Sequence, residues 1–77
     1  MLTSKNSLNR IIKGLEKKKF ENKEEIEKFI EAMEYDVLRI KDDSVDIIDL
    51  QESDDKVYTI RYINSGGSIK VTGVEEI

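Results

Sequence analysis

The apolar residues of this chain change period at Val37, and that change constrains the fold more than any other feature. Before it, Leu8, Ile11, Ile12 and Leu15 recur at i, i+3, i+4, i+7, and Ile26, Phe29, Ile30 and Met33 repeat the spacing. Each set makes one apolar stripe on a helix. After it, apolar and polar residues alternate with the period of a half-buried strand. The chain therefore reads as helices first and strands second.

The first helix is expected from about Ser4 or Ser7, either of which can cap it, to Lys19. Lys17, Lys18 and Lys19 close it, where cations suit the negative end of the helix dipole. Gly14 sits inside, at a cost of about 1 kcal/mol relative to Ala, and leaves room for a close neighbour. Asn22 and Glu25 read as N-cap and capping-box partner of a second helix that runs to about Tyr35. Glu24 and Lys28 form a well-oriented i, i+4 pair. Phe20, in the break, is expected to insert between the helices.

Four strands follow. Val37 to Lys41 is read with Leu38 and Ile40 on one face. Val45 to Leu50 has two possible registers, because Val45 and Ile47 oppose Ile48 and Leu50; either a bulge reconciles them or one pair stays on the outer face. In Lys56 to Ile63, Tyr58, Ile60 and Tyr62 alternate against Val57, Thr59, Arg61 and Ile63. Ser68 to Val74 places Ile69 and Val71 opposite Lys70 and Thr72. Asp42-Asp43-Ser44, Ser53-Asp54-Asp55 and Asn64-Ser65-Gly66-Gly67 mark the turns, the last a hairpin tolerant of positive φ. Connections this short pair strands antiparallel. The expected fold is α+β, two N-terminal helices packed on one face of a four-stranded antiparallel meander (ααββββ), as one domain over residues 1–77.

Composition narrows the chemistry. The 77 residues contain no Cys and no His. Disulfides and thiolate metal sites are excluded, and the usual neutral-pH base and thiol nucleophile are missing. No Ser or Thr has an identifiable base partner, so a non-enzymatic protein is expected. Asp42, Ser44 and Asp46 begin like a calcium loop, but Ile47 stands where the sharp-turn Gly belongs and Ser53 where the bidentate Glu belongs. No dedicated metal site and no cofactor are expected. Gly66-Gly67 precedes a strand rather than a helix, so it is no phosphate cradle. No apolar run approaches membrane-spanning length and no leader pattern is present, which makes a cytoplasmic protein the expectation.

Charge is unevenly placed. Between Glu34 and Asp55 nine acids face only Arg39 and Lys41, whereas the flanking segments are weakly basic; the whole chain is −4. Asp42, Asp43, Asp46, Asp49, Glu52, Asp54 and Asp55 are the candidate partner-binding surface. Exposed carboxylates on a rigid sheet steer and occlude a basic groove. In size, charge and architecture the chain resembles small acidic inhibitors from phages and plasmids, among them DNA-mimic, anti-CRISPR and immunity proteins; no motif carries the likeness. It implies an inhibitor or regulator of a basic nucleic-acid-handling protein such as a nuclease. The alternative is a structural or adaptor subunit that docks or dimerises through Ile48, Leu50, Val57 and Ile63. Lys13, Lys17, Lys18, Lys19 and Lys23 make a weak basic patch, but interleaved glutamates and the lack of stacking aromatics predict no useful affinity for nucleic acid.

Overall fold

Two helices precede a four-stranded antiparallel sheet in the computed structural model, which describes residues 4–54 and 56–77, with side chains from Leu8 onward. The elements are α1 (Ser4–Lys17), α2 (Lys23–Ala32), β1 (Tyr35–Ile40), β2 (Ser44–Asp49), β3 (Val57–Ser65) and β4 (Ser68–Glu76). Strand order follows the chain, β1-β2-β3-β4. The ααββββ meander is therefore the fold. Ser7 lies inside α1 rather than at its start; the side chains of Ser4 and Ser7 lie outside the described residues.

The helical stripes become core. Leu8, Ile11 and Leu15 of α1 and Ile26 and Ile30 of α2 are buried against Val45, Ile47, Tyr58, Ile60, Tyr62 and Ile69 of the sheet, with Ile12, Phe29 and Met33 half-buried beside them. The α1 helix lies against β4 and α2 against β1, so each helix covers one edge half of the same face. Phe20 fills the gap between them. Its ring meets Phe29 edge-on with centroids 5.9 Å apart, and its N–H donates to the Gly67 carbonyl at 2.9 Å. Lys19 bridges Ser68, so the helix–helix link lies beside the start of β4.

At the start of α2, the Asn22 side chain accepts from the Glu25 N–H at 3.0 Å. Glu25 returns the contact one residue further back than a capping box requires, accepting from the Glu21 N–H at 2.6 Å. The helix ends earlier than Tyr35. Met33 is its C-cap and Glu34 turns the chain with φ of 66°, in the left-handed region usually held by Gly. Tyr35 is already the first residue of β1.

Two register details differ from the sequence reading. The bulge lies in β1 and not in β2: Val37 pairs with Ile47 and Arg39 with Asp46, leaving Leu38 as the extra residue. Leu38 and Ile40 consequently do not share a face; Ile40 turns toward the core and Leu38 is exposed. With the irregularity taken up there, β2 alternates cleanly. Val45 and Ile47 point inward, and Ile48 stays on the outer face between Asp36 and Val57. A second bulge makes Thr72 the extra residue of β4. The β3–β4 hairpin closes on Gly66 (φ 60°) and Gly67 (φ 83°), a two-residue turn that needs positive φ at both positions. Among the described residues, no helix is long and apolar enough to cross a membrane.

Candidate functional site

The seven acids singled out from the sequence do not form one row. Asp42 and Asp43 lie in the β1–β2 turn, and Glu52 and Asp54 in the β2–β3 turn, at opposite ends of β2. Asp55 lies outside the described residues. Asp46 is between them on the outer face, half-buried, and its carboxylate accepts from the Thr59 hydroxyl at 2.7 Å. Asp49 is not on that face at all. It is 1% exposed and sits on the core side opposite Tyr35, whose phenol donates to it. Its carboxylate also accepts from the Gln51 N–H at 2.9 Å, the local bond that folds an Asx turn. Asp49 therefore builds the β2–β3 turn and is unavailable to a partner. Burial, and then the Asp49 charge, push the Tyr35 phenol well above its ordinary range.

A different acidic surface is present. The α2 helix carries Glu24, Glu25, Glu27, Glu31 and, just past its end, Glu34. Both acidic turns reach this helix. At its start, Asp42 pairs with Lys23 at 2.9 Å. At its end, Leu50 N–H donates to the Glu34 carbonyl at 3.3 Å, and the Gln51 amide donates to the Glu34 carboxylate. The helix, its C-terminal turn and the two strand turns thus expose Glu24, Glu31, Glu34, Asp42, Asp43 and Asp54 around the α2 side. Asp36 of β1 is exposed on the opposite, outer face, in register with Ile48. The basic residues Arg10, Lys13 and Lys17 ride on α1 at the β4 side. The chain is electrically polarised across its sheet.

The acids on α2 were legible in the sequence, since Glu24, Glu27, Glu31 and Glu34 fall at helical spacing off the Ile26–Ile30 stripe. Their charge is partly offset by Lys23 and Lys28, so the net acidity of the sequence stands out only after Glu34. Lys23 holds the Asp42 carboxyl below its ordinary value by hydrogen bond and charge. Burial, then Asp42 and Asp43, push the Tyr62 phenol upward; its hydroxyl donates to the Lys41 carbonyl.

The outer sheet face is neither acidic nor uniformly apolar. Its centre holds Asp46 with Thr59, and Arg61 with Glu75 at 3.2 Å. These line an open depression of about 560 Å³ together with Lys41 and Ser44. Ile48 and Val57 are direct cross-strand neighbours at one end. Leu50 extends that end, and Ile77 joins it, because its N–H donates to the Val57 carbonyl at 2.9 Å. Ile63 does not belong with them; it lies at the other end of β3, opposite Lys70. Ile77 is the member that sequence reading missed. Among the described residues, no three acids converge as a metal cluster. The chain matches no family model, no curated protein and no solved structure.

Proposed function

We propose that this chain is a non-enzymatic protein-binding domain that presents the acidic α2–β1 side to a basic partner, as an inhibitor or regulator of a nucleic-acid-handling protein does. One observation carries the reading: the β1–β2 and β2–β3 turns meet the two ends of α2, through Asp42–Lys23 and Gln51–Glu34, and so join three separate acidic segments into one surface. A ten-residue helix is about 15 Å long at 1.5 Å per residue. Carboxylates over that length, flanked by Asp43 and Asp54, match a basic groove in sign and scale. Lys23 and Lys28 are already engaged, with Asp42 and Glu24 respectively, which leaves most of the negative charge unopposed. Such a surface raises the association rate of a basic partner and repels nucleic acid.

The test is a kinetic binding measurement on a basic protein captured from the source cells, at two salt concentrations. The double variant Glu24→Lys, Glu31→Lys changes exposed residues of α2 only. Its association rate is expected to fall at least tenfold at low salt, and the deficit to shrink as salt screens the field. Unchanged binding by this variant, with its fold intact by circular dichroism, would remove the acidic surface as the recognition site.

A further inference from the structure

The two helices cover one face of the sheet and leave the other open. Across one end of that open face runs an apolar row in register: Ile48 of β2, Val57 of β3 and Ile77 beyond β4, with Leu50 beside Ile48. Leu50 is 62% exposed and Ile77 79% exposed. Scattered apolar residues on a surface are ordinary, but a contiguous row marks a contact surface.

The charges on this face are balanced. Asp36, Asp46 and Glu75 share it with Arg39, Arg61 and Lys70. A surface meant for a strongly charged partner carries one sign. An isologous two-fold interface carries both, because each patch must complement itself. The sheet edges offer no alternative route to association. Bulges at Leu38 and Thr72 interrupt β1 and β4, and Lys19 pairs beside the start of β4. Bulges and covered ends block edge-to-edge pairing.

We propose that this open face is the docking surface for a second copy of the chain, with the row Leu50–Ile48–Val57–Ile77 packed on its two-fold mate and the mixed charges pairing around it. Four strands at about 4.8 Å spacing and six to nine residues of length give a footprint of roughly 400–550 Å² per partner. A stable interface averages about 800 Å² per partner, so the dimer is weak and forms in the micromolar range or above. The surface is separate from the acidic α2–β1 side and leaves it free, so the two assignments stand or fall independently.

Sedimentation velocity across low-micromolar to near-millimolar concentration tests this, paired with an amide chemical-shift dilution series. The expected result is a concentration-dependent dimer that persists at high salt, with shifts at Ile48, Val57, Thr59 and Ile77. Ile48→Lys, and separately Leu50→Lys in the turn, are expected to raise the dissociation constant at least tenfold. Neither residue is in the core, and circular dichroism checks the fold of each. A monomer at every concentration overturns the proposal. So does a dimer that survives both variants, or one whose shifts map to the β1 edge or to the helices.

Discussion

Tyr35 and Asp49 face each other in register across β1 and β2, each about 1% exposed, with the phenol donating to the carboxylate. The same carboxylate accepts from Gln51 N–H, so one buried acid ties the first strand to the β2–β3 turn. Removing it strands two donors. Asp49→Ala is expected to cost about 2–3 kcal/mol in urea unfolding, against about 0.5 kcal/mol or less for Asp54→Ala on the exposed turn. Equal effects would refute the structural role given to Asp49.

Gly14 and Phe29 hold the helices together in a comparable way. A Cβ at Gly14 would meet the Phe29 ring, with Cε1 and Cε2 at 3.0 Å and Cζ closer still. Phe29 is in turn fixed by Phe20 and by the Lys18 ammonium 5.2 Å from its centroid. Alanine at position 14 improves helix propensity by about 1 kcal/mol but forces this ring aside, which costs about 1–3 kcal/mol. Gly14→Ala is therefore expected to destabilise by about 1 kcal/mol net. A gain in the thermal midpoint would show that the ring moves freely.

Glu34 invites the opposite change. Its φ of 66° is strained for a residue with a Cβ, and its side-chain contact with Gln51 is exposed. Glu34→Gly is expected to stabilise by about 0.5–1 kcal/mol, since the backbone carbonyl that accepts from Leu50 is retained. A destabilised variant would mean that the Gln51 contact outweighs the strain.

Alkaline pH is expected to weaken the fold. The Tyr35 and Tyr62 phenols both titrate above their ordinary value, mainly because burial disfavours the phenolate. In the unfolded chain they ionise near pH 10. Below that, both states are protonated and the burial is without penalty. Above it, the unfolded chain releases protons the folded one retains, and stability falls. Lys56, raised by Glu76, works in the same direction but is exposed and screened. Urea midpoints between pH about 8 and about 11 should decline, and Tyr35→Phe should flatten the slope.

The architecture was legible because it rests on local periodicity: the Leu8–Leu15 and Ile26–Met33 stripes, the Tyr58–Ile60–Tyr62 alternation and the Asn64–Gly67 turn all stand where the spacing puts them. The details that failed are non-local. Nothing around Leu38 marks it as the extra residue; the bulge arises from matching Tyr35, Val37 and Ile40 to Asp49, Ile47 and Val45. Asp49 reads as one more acid in an acidic run, and its burial depends on a phenol fourteen positions away. The polarity of the molecule was hidden for a similar reason. It depends on which helix covers which edge of the sheet.

That arrangement sets the order of assembly. The first helix lies mainly on the last strand, so Leu8, Ile11 and Leu15 lack their principal sheet partner until β4 is in place. On the ribosome, α1 would wait only partly covered while β1, β2 and β3 emerge, and the Gly66–Gly67 hairpin would bring its main partner. Stalled nascent chains truncated before Ser68 should remain protease-sensitive throughout α1, whereas chains extended past Glu76 should become protected in one step. Gradual protection of α1 before β4 emerges would mean that the helices find a core of their own.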